Sequence, residues 1–352
     1  MKTTAFRDKL ELAAFSASIV LSVPLVLGFF SRLHPAFDSF AHFRIHLAVL
    51  LALAALPMLF GRFRKEGVVA LVLAGGAVVS VSGTMQSLGP AVVHAGFAPK
   101  DDNQPVYKLL QLNLRYNNPE PNKVLSLIGQ IRPDVVTLEE TSEMWVEKLA
   151  LLSSAYPYRI ICPSPHGEYG VAILSARPFV EGQEARCYDR SSFVIAPIDF
   201  GGRPVDIAAL HLGWPWPFDQ HRQILMLARP LSEVGETALL AGDFNATPWS
   251  AAVAHVGQMG GLALVPSVGP TWQWIKLPEF LRFSGLPIDQ LMHKGSVVVN
   301  TARTLGEAGS DHLPVLVEFS LMPSSPRHEE NAETATATFV RRSPNAAGYG
   351  SS

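Results

Sequence analysis

The sequence predicts an α/β domain carried behind an apolar, helical membrane segment. Three observations lead there. Long runs without charge crowd the first hundred positions. Beyond them, short apolar strands alternate with helical spacing, as in strand–helix–strand units. Polar residues recur at the carboxyl ends of those strands, where open α/β sheets place their working groups.

The chain has 352 residues, 48% of them hydrophobic, and a mean hydropathy of +0.21. That is high for a wholly soluble protein. Charge is unevenly placed: 9 Lys and Arg stand against 4 Asp and Glu in residues 1–100, but 16 against 23 in residues 101–322. An acidic body is a poor match for tight nonspecific binding along nucleic acid, although it leaves room for a local basic groove. Two cysteines, Cys162 and Cys187, occur with no Cys-x-x-Cys pair, which argues against a thiolate zinc site. A disulfide and two separate buried thiols both fit; a location outside the cytoplasm favours the disulfide.

Apolar runs at 13–30, 45–60 and 67–81 suggest about three transmembrane helices within residues 1–85. The first run resembles a signal peptide, but the next two follow with no obvious small-residue cleavage site. Lys2, Arg7 and Lys9 precede the first run, and Arg62, Arg64 and Lys65 lie between the second and third. The positive-inside rule puts both segments in the cytoplasm. Three crossings then leave the rest of the chain facing the periplasm or the outside of a bacterial-type inner (plasma) membrane. Residues 86–105, with Pro99 and Pro105, read as a linker.

In the body, 106–113 reads as a strand ending in Asn113. Residues 121–131 carry a helical stripe of Val124, Leu127, Ile128 and Ile131, and 135–138 is a buried strand ending in Glu139-Glu140. This is a βαβ-like unit. The adjacent acids also suit a helix amino terminus. Further strands are expected at 170–174 and at 205–212, the latter with His211 near its end. A helix is expected at 220–231. The strand ending near 241 leads into Gly242-Asp243-Phe244-Asn245-Ala246-Thr247-Pro248. Asp243 and Asn245, two positions apart off a strand, point the same way; a turn that merely closes the strand is the plainer reading. Small, flexible residues follow. The aromatic stretches 214–218 and 272–283 fit core, a substrate wall, or a surface touching a nearby bilayer. Strands are expected at 288–292, 297–299 and 315–319, with Asp311-His312 just before the last. The domain is taken as 106–320, and 321–352, rich in Ser, Pro, Glu, Ala and Thr, as a disordered tail.

These pieces resemble the endonuclease/exonuclease/phosphatase superfamily, which includes exonuclease III-like nucleases, DNase I, neutral sphingomyelinases and inositol-polyphosphate phosphatases. The matching segments are LNLRYNN (112–118), VVTLEE (135–140), GVAILS (170–175), ALHL (209–212), GDFNATP (242–248), PTW (270–272), IDQL (288–291) and SDHLPV (310–315), in the family's order. The resemblance implies a DNase I-like two-sheet α/β sandwich and cleavage of a phosphoester with Mg²⁺ (or Mn²⁺). An anionic phosphoester needs a cation for the developing charge and a base for water, and oxygen ligands suit Mg²⁺. By matched position, Glu140, Asn113 and Asp311 resemble metal-site residues. Asp243 and Asn245 would position water and hold phosphate oxygens. Asp289 would orient His312, and His211 would stand near the leaving oxygen or the phosphate. Either Asp243 or His312 takes the proton from water. Glu139 departs from the pattern, because the family often has Gln there.

The expected function is therefore metal-dependent hydrolysis of a phosphoester, in nucleic acid or in a phospholipid or inositol phosphate. The membrane is met through the N-terminal helices, and no protein partner is inferred. A lipid or inositol phosphate enzyme at the membrane, and a noncatalytic binding module, are the alternatives.

Overall fold

The computed structural model describes residues 2–85, 104–162, 164 and 170–322. Most of the expected linker and nearly all of the expected tail lie outside the described residues. Residues Met1–Met322 form one compact unit.

Four helices come first: α1 (Lys2–Gly28), α2 (Pro35–His42), α3 (Arg44–Ala55), extended by a 3-10 turn at Leu56–Phe60, and α4 (Arg64–Val81). All three apolar runs are helical, and α2 is an addition. Leu25, Ala48, Leu51, Ala55, Ala70, Ala74 and Ala77 pack between them. The small alanines allow close helix approach. At one end Arg7 pairs with Glu11, and Glu11 Oε2 accepts the Arg62 backbone N–H at 3.1 Å. At the other, Arg44 Nη2 donates to the Gly28 carbonyl at 2.8 Å. The expectation of about three spans is corrected here. Among the described residues, one helix, Phe6–Gly28, is long and apolar enough to cross a bilayer alone, and the bent pair Pro35–His42 and Arg44–Phe60 counts at most as one broken span. The physical reasons are length and charge. Helix α3 has only 12 residues, and α4 opens on Arg64-Lys65-Glu66.

The body follows as β1 (Tyr107–Asn113), α5 (Pro121–Ile131), β2 (Val135–Glu139), α6 (Glu143–Ala150), β3 (Tyr158–Cys162), β4 (Val171–Ser175), β5 (Arg186–Tyr188), β6 (Phe193–Asp199), β7 (Pro204–His211), α7 (Gln220–Met226), α8 (Ala228–Ser232), β8 (Ala238–Asp243), α9 (Ala251–Gly260), β9 (Ala263–Leu264), β10 (Asp289–Lys294), β11 (Val297–Thr304) and β12 (Val315–Leu321). Two six-stranded sheets result, β11-β12-β1-β2-β4-β3 and β5-β6-β7-β8-β10-β9. The β1–β2 and β7–β8 pairs are parallel and the other pairings antiparallel.

Alternation explains the layers. On β1 and β2, Leu109 and Val135 face Ile207, Ala209, Leu239, Ala241 and Leu291 of the other sheet in one shared core. The opposite faces pack under helices: Leu110, Leu112, Val136 and Leu138 with Val124 and Ile128 of α5 on one side, and Leu210 and Leu240 with Ile224 and Val256 on the other. Period-two alternation therefore builds a four-layer sandwich with helices outside.

Several sequence expectations change. Strands β3, β5 and β6 were not expected. Pro197 within β6 argues against a strand, but β5 pairs only as far as Ile195, so Pro197 lies past that ladder. The expected helix 220–231 divides into α7 and α8, because Pro230 cannot donate to the preceding turn. The small residues after Pro248 form α9, capped by Ser250, whose Oγ accepts the Val253 N–H at 3.1 Å. Cys162 and Cys187 form a disulfide with Cα atoms 5.8 Å apart, joining edge strand β3 of one sheet to edge strand β5 of the other.

Candidate active site

The inner faces of both sheets turn from apolar to polar at one end. On β1 the inward series Tyr107, Leu109 continues to Gln111 and Asn113. On β2 it ends at Glu139, on β7 at His211, on β8 at Asp243, and β10 begins at Asp289. Register brings them together: Asn113 lies beside Glu139, and Asp243 lies between His211 and Asp289. Gly242 permits this. A Cβ there would stand 2.0 Å from the Leu210 carbonyl oxygen of the neighbouring strand, so only glycine fits.

Asp243 is the hub. Its Oδ2 accepts Asn113 Nδ2 at 2.9 Å and lies 3.7 Å from His211 Nε2 and 3.6 Å from His312 Nε2. Its Oδ1 accepts the Asn245 backbone N–H at 2.8 Å. Asn245 takes a left-handed backbone, φ 46°, and its side chain donates to the Leu212 carbonyl at 2.8 Å. Thus the Gly-Asp-Phe-Asn turn both closes the strand and aims two polar side chains inward. Opposite, His312 Nδ1 is 2.8 Å from Asp289 Oδ2. Asn113 Nδ2 also donates to Glu140 Oε1 at 3.0 Å. Glu140 has φ 57°, a left-handed kink directly after β2. Its Oε2 is held by the Tyr116 N–H at 2.8 Å. Asp311 sits at the edge, its Oδ2 accepting Trp272 Nε1 at 3.2 Å.

Burial and charge set the protonation states. Burial pushes the Asp243 carboxyl up to about 7, with Asp289 adding to the push and the His312 imidazolium opposing it. For His312 burial opposes the charged form, but Asp289 and Asp243 outweigh it and hold the ring up at about 10. Burial, aided by His312, drops His211 to about 3, so it is neutral. Burial also raises Glu140. The departure at Glu139 resolves here. Burial, then repulsion from Asp289, lifts its carboxyl well above the usual range. Gln111 Nε2 bridges Glu139 Oε2 and Asp289 Oδ1, each at 2.8 Å. Glu139 lies fully buried behind the site, its carboxyl biased toward the protonated form.

All eight sequence-predicted residues lie at this end of the sandwich, but not in one shell. Among the described residues, Asp243, Asp289 and His312 bring candidate atoms within 4.8 Å of one another; with His312 an imidazolium, the two carboxylates are the part of this group able to face a cation. Glu140, Asn113 and Asp311 stand beside it. The residues fit a hard divalent cation: the carboxylates of Asp243, Asp289, Glu140 and Asp311 face one imidazolium, and an oxygen-rich set with excess negative charge suits Mg²⁺.

Sequence reading did not single out the supports. Ser310 Oγ donates to the Asn113 carbonyl at 2.7 Å and accepts the His312 N–H at 3.1 Å. Thr271 Oγ1 accepts the Asp289 N–H at 3.2 Å. Gln220 and Gln223 of α7 tie down Gly213 and the Phe244 carbonyl. The available signal was a pair of glutamines on the inward side of an amphipathic helix.

Comparison with known proteins identifies the family and the fold. The pattern of the Endonuclease/Exonuclease/phosphatase family matches residues 110–312, and the chain belongs to that family. Its coarse activity class is that of a phosphoesterase-type hydrolase. Among solved structures, a humanized TDP2 of D. rerio is 20% identical, with 61% of this chain and 99% of that chain covered and a TM-score of 0.50. An endonuclease/exonuclease/phosphatase from Bacteroides vulgatus is 18% identical, with coverage of 62% and 100% and a TM-score of 0.50. At such identities these likenesses show the fold. No curated protein matches the chain.

Proposed function

We propose that this protein is a membrane-embedded, divalent-metal-dependent phosphoester hydrolase. The observation that carries the reading is Asp243, buried and set within 3.7 Å of both His211 and His312 at the polar end of the two sheets. Asp243, with a carboxyl that titrates at about 7, takes the proton from water. The oxygen of that water forms the new bond to phosphorus, the bond from phosphorus to the leaving alcohol breaks, and the leaving oxygen is protonated from solvent. His312, held as an imidazolium by Asp289, presents Nε2–H to a phosphate oxygen. Asn245 and neutral His211 fix the remaining oxygens. Glu140, Asp311 and Asn113 would hold Mg²⁺ or Mn²⁺, which supplies charge neutralisation on the phosphate.

The membrane part of the reading rests on composition. Val20 and Val23 of α1 and Val69, Val72 and Val79 of α4 are each more than half exposed. A helix apolar on all sides belongs in lipid or in a core, and these are not in a core. The disulfide supports placement of the domain outside the cytoplasm, and Lys2, Arg7 and Lys9 before the apolar part of α1 support a cytoplasmic amino terminus. On this reading the domains are an anchor over 1–85 and a catalytic unit over 106–320.

The test is turnover of bis(4-nitrophenyl) phosphate by the full chain in detergent. Activity is expected with Mg²⁺ or Mn²⁺, abolished by EDTA, and reduced by several orders in Asp243→Asn and His312→Ala, as when concerted groups are lost. Equal activity in EDTA, or in both variants, overturns the assignment.

A further inference from the structure

We propose that the mouth of this site lies against the bilayer surface and that its substrate is a phosphoester borne by a membrane lipid. This rests on the phosphoesterase reading and names its substrate class.

The helical bundle is not simply a tether. Contacts from its domain-facing end seat the body directly. Asp38 of α2 accepts the N–H groups of Ala251 and Ala252 at 2.8 and 3.0 Å, opening α9. His42 Nδ1 lies 3.3 Å from Thr247 Oγ1, within the segment that carries Asp243 and Asn245. Trp249 Nε1 donates to the Ala41 carbonyl at 2.6 Å, and the Ser267 N–H donates to the Thr84 carbonyl, just beyond α4, at 2.9 Å. These bonds fix how the catalytic body stands on the bundle.

Two more contacts hold the rims of the site. Ser39 Oγ donates to the Trp216 carbonyl at 2.9 Å, and His46 Nε2 lies 2.7 Å from the Ser284 carbonyl oxygen. The first rim, 213–218, leaves β7 two residues after His211. The second, 272–284, starts at Trp272, which donates to Asp311. The rings of Trp214 and Trp272, one from each segment, meet with centroids 6.1 Å apart. Both segments are therefore pinned to the end of the bundle that would emerge from lipid.

The outer residues of these rims are apolar and uncovered. Phe218 is 65% exposed, and Phe280 and Phe283 are each 75% exposed. Half-exposed Trp216 and Trp274 accompany them, and Lys276 lies 5.6 Å over the Trp274 ring. Tryptophan beside lysine is the composition of the headgroup zone. On the bundle, Phe40 and Phe43, close in sequence to Ser39 and His46 that bond these rims, are exposed as well. What covers the bundle thus extends to the rims. Nucleic acid is the weaker occupant, because residues 101–322 carry 16 Lys and Arg against 23 Asp and Glu.

The test uses the full chain in phosphatidylcholine vesicles with Mg²⁺. Vesicles doped with phosphatidic acid or phosphatidylglycerol, plasmid DNA, and soluble bis(4-nitrophenyl) phosphate are compared. A variant carrying Phe218→Ser, Phe280→Ser and Phe283→Ser, all exposed and outside the catalytic set, is expected to lose at least tenfold in lipid turnover. It should hold the soluble rate within twofold. Brominated phosphatidylcholine should quench tryptophan fluorescence, and Trp216→Phe with Trp274→Phe should remove most of that quenching. Preference for DNA over both lipids, equal loss on lipid and soluble substrates, or quenching unaffected by the two tryptophan changes overturns the proposal. Absence of all turnover with quenching intact instead overturns the hydrolase reading and leaves the membrane-facing mouth supported.

Discussion

His312 Nδ1 and Asp289 Oδ2 are 2.8 Å apart, and both side chains are buried. The carboxylate fixes which ring nitrogen carries its hydrogen on the Asp289 side and stabilises the imidazolium, leaving Nε2 to face Asp243. This makes His312 a charged contact to phosphate and leaves Asp243 as the base.

A bell-shaped pH–rate profile follows. Asp243 must be ionised, so the rate is lost as pH falls through about 7; His312 must be protonated, so it is lost as pH rises through about 10. A bound cation moves the acid limb down, because it favours the carboxylate. In Asp289→Asn the largest force holding up the imidazolium is gone, and the basic limb moves to lower pH. Rates on a soluble phosphodiester from pH 5 to 11 check this; an unmoved basic limb excludes His312 as its source.

Glu139→Gln is expected to keep activity within a few-fold. Burial and Asp289 already bias the wild-type carboxyl toward its protonated form, and Gln111 anchors it from one side. Its folded-state pKa is raised, so its contribution to stability is complete below about 4.5 and is lost as pH rises. The variant does not titrate there. It should gain on the wild type in thermal melts as pH rises from 5 to 9, and a pH-independent difference would contradict the assignment.

Asp38→Ala removes two hydrogen bonds from the first turn of α9 and leaves those N–H groups buried. The expected cost is about 1–3 kcal/mol. Because α9 follows the Gly-Asp-Phe-Asn turn, kcat should fall more than KM changes. Asp38→Asn retains an acceptor and should recover part of both losses. Melting and kinetics of the three proteins in detergent measure this.

Loss of the disulfide in Cys162→Ser with Cys187→Ser opens a link of sequence separation 25 between the two sheet edges. The expected destabilisation is about 3 kcal/mol. A melting drop of about 6–12 °C, with the active-site kinetics intact below the transition, is the outcome to look for. An unchanged melting temperature under both oxidising and reducing conditions would show that the link does not form.

The sequence by itself determined the strand–helix–strand opening, the polar residues at the strand ends and the apolar bundle. Each is local: alternation, helical spacing and run length survive without knowing the partners. The polar strand ends at Asn113, His211 and Asp243 were legible from the pattern, whereas Glu140, Asn245, Asp289, Asp311 and His312 were assigned their roles by the resemblance of their motifs to the family. Only the tertiary structure decided that Asp243 stands between His211 and Asp289, because register is a property of pairing. It also decided that the Glu139 carboxyl is pushed upward, since protonation depends on burial and on neighbours distant in sequence. The same holds for Asp38, which reaches 213 positions along the chain to cap α9. No periodicity within either segment encodes that contact; it exists only because the bundle and the sandwich fold against each other.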